Sequence, residues 1–300
     1  GGDAITTSGD YKTHIFTGPG TFCVSNIAPT APLNVVDYLV TGGGGGARSA
    51  ACASNAGGGA GGFRLSNALS IPAPTTSPLA NPTGITVSAT GYPIIVGAGA
   101  VNPPSVPPGT QAPSGSVSSF DTIPSAGGGG GGQTGVGGSG GSGGGGSQGP
   151  TPTSGYAGGA GNTPPTSPAQ GNPGGAGYDG LSVSNNAGGG GGGGAAGTNA
   201  SNLVGGAGGI GSYIGDGFVG PTAPSYGTLG PASNTRYFAG GGGGATDTSG
   251  TPGTGGAGGG GDGNNPGTGC NGTINTGGGS GGSAPSGGGS GIVMIRYKFQ

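Results

Sequence analysis

The stretch Val36-Asp-Tyr-Leu-Val-Thr-Gly-Gly-Gly-Gly-Gly46 changes from strand-forming residues to an uninterrupted run of glycines. β-branched and aromatic side chains favour β-strands, whereas a run of glycines has no side chain to bury. The opposite change closes the chain, where Gly291 precedes Ile-Val-Met-Ile-Arg-Tyr-Lys-Phe-Gln300. Both ends of the chain therefore predict strands, and the glycine-rich part lies between them.

The strand patterns also predict pairings. Residues 11–25 resemble a hairpin around the turn Gly18-Pro19-Gly20, and a third strand is predicted from Asn34 to Thr41. A middle strand pair is predicted at residues 85–88 and 94–96. The last strand alternates, with one face formed by Val293, Ile295, Tyr297 and Phe299 and the other by Ile292, Met294, Arg296 and Lys298. Such alternation predicts a half-buried strand.

Glycine accounts for 90 of the 300 residues, far above its usual share of about 7%. The glycines come in blocks rather than at every third position over long stretches, which excludes a collagen helix. Charged residues make up only 5% of the chain, and the formal net charge is −2. Large apolar residues are too few to fill a conventional core for a chain of this length.

The glycine blocks have two interpretations. They are flexible spacers, or they form extended left-handed helices with three residues per turn, which hydrogen-bond to neighbours on several sides. The second interpretation predicts a mostly irregular and β fold with essentially no α-helix. It consists of a polyglycine II bundle over residues 42–290 and a small antiparallel β region formed by residues 1–41 and 291–300, all in one structural unit.

A series of motifs runs in order along the chain. They are Ser8-Gly-Asp-Tyr-Lys-Thr-His-Ile-Phe-Thr17, Gly20-Thr-Phe22, Val36 to Gly46, Gly57-Gly-Gly-Ala-Gly-Gly-Phe-Arg64, Ile94-Ile-Val-Gly-Ala-Gly99, Ser118-Ser-Phe120, Arg236-Tyr-Phe-Ala-Gly240 and Gly289-Ser-Gly-Ile-Val-Met-Ile-Arg-Tyr297. In combination they resemble the glycine-rich domain of phage tail fibres and tail-tip adhesins. The sequence departs from that pattern in Pro-rich insertions at 101–113 and 148–173, which are specificity loops or spacers.

The resemblance implies a structural protein on a virion surface or in the extracellular space, with loops that attach to a bacterial receptor, either protein or glycan. Other fibre or virion proteins are the implied partners, and a homotrimer is one expected assembly. The alternative is a capsid decoration protein or a glycine-rich matrix filament without a receptor. A disordered elastomeric protein is a third hypothesis, which the strand-rich ends disfavour.

Six aromatic residues in or beside glycine-rich turns are the candidate receptor contacts, because exposed aromatic rings are common in binding loops. They are Tyr156, Tyr178, Tyr213, Phe218, Tyr226 and Tyr237. The competing interpretation, which the sequence favours slightly, is that these rings cap the glycine helices and form small satellite cores.

No motif in the sequence predicts an enzyme, a metal site or a cofactor site. His14 is the only histidine and is interpreted as a strand residue. No lysine follows a glycine block as a phosphate-binding loop requires, and six basic residues do not form a nucleic-acid patch. No apolar run is long enough for a membrane span. Cys23, Cys52 and Cys270 are odd in number and far apart, so they do not suggest a disulfide framework; at most one bridge is possible, and free thiols are expected.

Overall fold

The protein is described from a computed structural model. The structure describes residues 1–30, 33–48, 55–71, 75–101, 111–151, 154–180, 185–247, 250–264, 269–282 and 286–299. Cys52 and most of the insertion at 101–113 therefore lie outside the described residues.

The chain folds into short strands joined by irregular segments. In chain order the strands are β1 (Ala4–Ser8), β2 (Tyr11–Phe16), β3 (Gly20–Cys23), β4 (Val35–Thr41), β5 (Phe63–Ser66), β6 (Ala80–Asn81), β7 (Ile85–Thr86), β8 (Gly91–Ile95), β9 (Ser118–Phe120), β10 (Ile123–Ser125), β11 (Gln148–Thr151), β12 (Ser154–Gly155), β13 (Tyr178–Asp179), β14 (Asn185–Asn186), β15 (Ser212–Gly215), β16 (Thr235–Phe238) and β17 (Ile292–Lys298). One four-residue α-helix, α1 (Asp216–Val219), continues into a 3-10 helix at Gly220–Ser225.

The largest sheet gathers both ends of the chain. Its strand order is β1-β2-β17-β4-β5-β6, with β7 also pairing with β4. The last strand, β17, lies antiparallel between β2 and β4, so that Met294 stands opposite Ile15 on one side and Leu39 on the other. The prediction of a mostly β and irregular fold, with essentially no α-helix and a small antiparallel sheet from both termini, is confirmed.

The prediction that β17 is half buried is wrong, because both of its faces are covered. Ile292 and Met294 belong to one apolar cluster, which also contains Phe218 and Phe238. Val293 and Ile295 belong to a second cluster. A four-stranded sheet, in the order β10-β9-β8-β3, contributes Phe22, Tyr92 and Phe120 to that second cluster. The alternation of side chains assigns the two faces correctly, but it cannot show that each face has a partner.

Two predicted pairings are also wrong. Residues 11–25 do not form a hairpin, because β2 already has β1 on one edge and β17 on the other, and β3 instead pairs with β8. The hairpin present in this region is β1 with β2, joined by Gly9 at a positive φ of 56°. The middle strands do not pair with each other either, since β7 pairs with β4 whereas β8 lies between β3 and β9.

The segment at residues 57–62, which is glycine except for Ala60, donates all six of its backbone N–H groups to other segments, over distances of 2.8 to 3.2 Å. The acceptors, in order from residue 57, are the carbonyl oxygens of Gly188, Ser280, Gly129, Gly191, Gly277 and Ala126. Two donors that are three residues apart therefore bond to the same neighbouring segment, and their two acceptors are also three residues apart. The segment is hydrogen-bonded to three neighbours, whereas a strand inside a sheet has two.

Three further segments repeat this pattern. For residues 42–47 the acceptors in order are Gly62, Ser116, Gly289, Gly59, Pro113 and Ser286. For residues 188–193 they are Gly146, Thr198, Gly242, Gly143, Ala195 and Ala239, and for residues 240–245 they are Gly258, Gly209, Gly58, Gly261, Gly206 and Asn55. We call this set of mutually bonded glycine segments the glycine lattice.

The lattice needs glycine because its segments lie too close together for side chains. A Cβ built on Gly58 would overlap the carbonyl oxygen of Gly45, and one built on Gly242 would overlap that of Ser280. Neither position has a positive φ, so the requirement is for space and not for an unusual backbone conformation. The lattice thus satisfies its backbone polar groups without a side-chain core.

The lattice segments run between two ends of the molecule. At the end that we call the sheet end, they continue directly into strands, as at Thr41 to Gly42 and Gly291 to Ile292. At the opposite end, the loop end, short bridges join Ala47 to Ser286 and Asn186 to Thr246. The β11–β12 and β13–β14 hairpins lie there, whereas the β15–β16 pair lies at the sheet end.

Candidate functional site

Four of the six candidate aromatic residues lie at the sheet end, around α1. Tyr213 and Tyr237 stand opposite each other in the β15–β16 pair, with their ring centroids 5.2 Å apart. Phe218 is 1% exposed within the first apolar cluster, and Tyr226 packs against the same cluster. Phe218 and Tyr226 therefore belong to the main apolar core at the sheet end and not to a separate satellite core.

Two of these four cannot contact a receptor through their side chains. Phe218 is 1% and Tyr237 is 4% exposed, and the Tyr237 hydroxyl accepts a hydrogen bond from the Ala232 N–H over 3.3 Å. α1 and the turn before β16 fold the rings of Phe218 and Tyr237 inward, so neither ring is presented to a receptor in this structure. The contact role of Tyr213 and Tyr226, both half-buried, stays a prediction.

Arg236 fixes the irregular segment that carries Tyr226. Its Nε–H donates to the Tyr226 carbonyl over 2.7 Å, and its Nη2 donates to the carbonyls of Pro224 and Gly227 over 3.1 and 3.2 Å. A guanidinium that bonds three carbonyls holds an irregular backbone in one conformation. This segment is therefore built as part of the scaffold.

The other two candidates, Tyr156 and Tyr178, lie at the loop end. Tyr156 follows β12, and its N–H donates to the Ser147 carbonyl over 2.9 Å, while Tyr178 opens β13 and stands opposite Asn186 of β14. Both rings are half-buried. The two hairpins β11–β12 and β13–β14 lie side by side, so the structure brings these two tyrosines to the same end of the molecule.

Polar side chains tie the loop-end hairpins to their neighbours. Asn186 donates through Nδ2 to the Ser201 carbonyl over 2.7 Å, and the Asn185 N–H donates to Asp247 Oδ2 over 2.9 Å. Next to them Leu203 and Val204 form a turn and are 40% and 45% exposed. The loop end therefore combines ordered polar loops with exposed aliphatic groups. These residues are not among the candidates that the sequence suggests, although their Asn- and Ser-rich turns are typical of loops.

The Pro-rich insertion at 148–173 does not lie at one end. Its first part forms the β11–β12 hairpin at the loop end, and residues 156–161 then run along the lattice. The turn that follows reaches the sheet end, where Gln170 accepts the Ala126 N–H at Oε1 and donates through Nε2 to the Pro164 carbonyl. Gln170 is 1% exposed, so this second turn is anchored in the scaffold.

His14 lies in a strand, β2, as the sequence predicts. It is 8% exposed. Its Nδ1 contacts the Gly1 carbonyl, and its Nε2 is 3.3 Å from the Tyr297 hydroxyl. Burial lowers the pKa of His14, and the bond to the Gly1 carbonyl opposes that change. The neutral ring, with the proton on Nδ1, donates to Gly1 and accepts from Tyr297.

Among the residues that the structure describes, no group of three or more His, Cys, Asp or Glu side chains could hold a metal ion. Within the same residues, no helix is both long and apolar enough to cross a membrane. Cys23 and Cys270 are free and exposed.

These features agree with a known family. A family model described as a glycine-rich domain matches residues 17–298, which is most of the chain, and the chain therefore belongs to this family of glycine-rich domains. A search of curated proteins finds no significant match. The family's description names a type of domain and not a particle or a host.

Proposed function

We propose that the chain is a non-enzymatic display domain of a virion, in a phage tail fibre or tail-tip adhesin, whose loop end attaches to a receptor on the bacterial surface. The observation that carries the proposal is the division of the molecule into two ends. Loops positioned by a rigid scaffold are where binding residues are most often found. The lattice supplies such a scaffold, and at the loop end it presents the β11–β12 and β13–β14 hairpins and the turn at Leu203 and Val204.

The hydrogen-bond pattern also supports polyglycine II helices as the conformation of the lattice segments. A helix with three residues per turn points successive N–H groups in three directions and returns to the same direction every third residue. The donors at residues 57–62 follow this order, as do those at 42–47. Such helices give a stiff body, which suits a domain that must project loops away from a particle.

The contact surface that we propose consists of Tyr156, Tyr178 and the turn at Leu203 and Val204. Half-buried tyrosine rings present a rigid apolar body and a polar hydroxyl, a combination common in binding surfaces. Exposed aliphatic groups beside them add apolar area. The receptor in this proposal is a protein or glycan of the bacterial surface, and neighbouring fibre proteins or two further copies of the chain would attach elsewhere.

Immunogold electron microscopy of the source particles tests the location. Gold at the distal ends of tail fibres is the expected result. Gold over the capsid, or along cell-associated filaments, would contradict the proposal and favour a decoration or matrix role without a receptor.

Binding of the labelled chain to host cells tests the contact surface. The double variant Tyr156→Ala, Tyr178→Ala is expected to lose binding by about tenfold or more, because aromatic contact residues often contribute over 1 kcal/mol each. Ile95→Ala, which removes an exposed apolar side chain of β8 near the sheet end, is the control and should bind as the unchanged chain does. Equal binding of the double variant and the unchanged chain, with both correctly folded, would refute the loop-end surface.

A further inference from the structure

A cleft with a volume of about 270 Å³ lies at the sheet end, away from the loop end. The residues that line it and matter for its chemistry are Tyr11, Ser70, Thr75, Asp216, Asn234 and Arg296. They come from β2, β17, α1 and two loops. Ligand pockets for drug-sized molecules begin at about 300 Å³, so this cleft suits a smaller ligand.

Arg296 is the buried cation of the cleft. It is 5% exposed, and its guanidinium carbon lies 3.7 Å from the centroid of the Tyr11 ring. Its Nε and Nη1 have no hydrogen-bond partner among the described residues. Asp37, the residue opposite Arg296 in β4, instead accepts from Ser66 Oγ and from the N–H groups of Ala68 and Leu69.

Asp216 contributes a buried acceptor to the same cleft. Its Oδ1 is buried and has no partner in the described part of the chain, while its N–H donates to the Asn234 carbonyl over 3.0 Å. Within that part, the ion pair found at 4.0 Å or less joins Lys298 and Asp10, so Asp216 and Arg296 do not neutralise each other directly. Buried polar groups are nearly always paired, and exceptions call for an explanation such as a bound water, ion or ligand.

The unpartnered Nε and Nη1 of Arg296 and the unpartnered Oδ1 of Asp216 define the chemistry of a ligand. A hydroxyl group both donates and accepts, so two neighbouring hydroxyls can accept from Arg296 and donate to Asp216. An anion would be attracted by Arg296 but repelled by the carboxylate of Asp216. A cation would be attracted by Asp216 but repelled by Arg296. A neutral polyhydroxylated ring satisfies both groups without adding charge.

We propose that this cleft binds one ring of a neutral saccharide. Arg296 donates to a ring hydroxyl, Asp216 accepts from the adjacent hydroxyl, and Asn234 at the rim supplies a further amide contact. The inference does not depend on the loop end as receptor surface, because the cleft lies at the other end of the molecule.

The test is a titration of the isotopically labelled chain, followed through the NMR signal of the Arg296 Nε–H. The probes are glucose, galactose and N-acetylglucosamine as neutral sugars, and glucuronate and inorganic phosphate as anions. At least one neutral sugar is expected to shift this signal with a dissociation constant on the order of 1 mM, as suits so small a ligand.

Two variants identify the groups involved. Asp216→Ala removes the acceptor, and Asn234→Gly removes the rim amide while tolerating the φ of 56° at that position. Each is expected to weaken sugar binding about tenfold, the usual effect of one hydrogen bond to a charged or buried group. Asp179→Ala, the same kind of change at the loop end, is the control and should leave binding unchanged. If Asp216→Ala fails to fold, Asn234→Gly still decides the question.

Two results would overturn the proposal. One is that no neutral sugar shifts the Arg296 signal at concentrations on the order of 100 mM, well above the expected dissociation constant. The other is that glucuronate or phosphate binds more tightly than the neutral sugars and binds still more tightly to Asp216→Ala, which would define an anion site. Loss of cell binding through the loop-end variants, by contrast, would leave this result unaffected.

Discussion

The sheet end and the glycine lattice are stabilised in opposite ways. At the sheet end, β17 is buried on both faces, and Ile292 to Ile295 are all fully inaccessible to solvent. In the lattice, glycines such as Gly57, Gly58 and Gly59 bury only backbone, and their N–H groups bond to three different neighbouring segments. One region is stabilised mainly by apolar side chains, whereas the other depends on having none.

This difference teaches that the usual rules of substitution reverse within one molecule. Removing atoms should damage the sheet end, where a cavity would remain. Adding a single methyl group should damage the lattice, where no space exists for it. Substitutions in the two regions can therefore compare the cost of a cavity with the cost of an added methyl group.

The largest expected effect is at the centre of β17. Ile295→Ala should lower the free energy of unfolding by about 2–5 kcal/mol, because Ile295 is 0% exposed and packs within the second apolar cluster. Ile95→Ala is the matched control, since Ile95 is 53% exposed, and it should change stability by less than about 0.5 kcal/mol. Denaturant unfolding measures both. Equal effects of the two variants would mean that β17 is not the centre of a packed core.

The next effect belongs to the lattice. Gly58→Ala should lower the free energy of unfolding by about 1–3 kcal/mol, because the added Cβ would overlap the Gly45 carbonyl oxygen. Gly135 has nothing within 4 Å of a built Cβ, and Gly135→Ala should be neutral or stabilising by about 0.4–1 kcal/mol. The same unfolding assay compares them. A stabilising Gly58→Ala would show that the segment is a flexible spacer.

The smallest effect is the pH dependence from His14, at the sheet end. Because burial lowers the pKa of His14 below its ordinary 6.5, the unfolded chain binds more protons than the folded chain just below that pH. The contribution of neutral His14 to the free energy of unfolding is therefore fully present above pH 6.5. It falls as the pH drops from 6.5 toward the lowered pKa and stays constant at lower pH. Unfolding measured between pH 5 and pH 8 should show this slope.

His14→Gln provides the check, because the chain has a single histidine. The variant should lose the slope between pH 5 and pH 8 while keeping the slope caused by carboxylates at lower pH. An unchanged slope in the variant would mean that another group titrates in this range and that His14 is not shielded from solvent.

Much of the fold could be predicted from local patterns. The strands at both ends were readable because Val36 to Val40 and Ile292 to Phe299 combine strand-forming residues with a sharp boundary at glycine. The pairing of the strands could not be predicted in the same way. The turn at Gly18-Pro19-Gly20 suggests a hairpin, but β17 occupies the edge of β2, and a contact between residues so far apart leaves no local signal.

The candidate site was harder to predict for the same reason. Phe218 and Tyr237 look like display residues in a glycine-rich sequence, yet α1 and the β15–β16 pair turn them into the core. Tyr156 and Tyr178 reach the loop end only because the lattice segments that precede them run in the required direction. The cleft at Arg296 and Asp216 joins residues 80 positions apart, and neither residue stands in a recognisable motif.

Hydrogen exchange at the six amides of residues 57–62 tests the central claim most directly. If successive N–H groups donate to three neighbouring segments in turn, all six amides should be protected from exchange to a similar degree. A strand at the edge of a sheet would instead protect only every second amide. Uniform slow exchange is the result that the lattice predicts. Fast exchange at all six amides, or protection that alternates from one residue to the next, would contradict it.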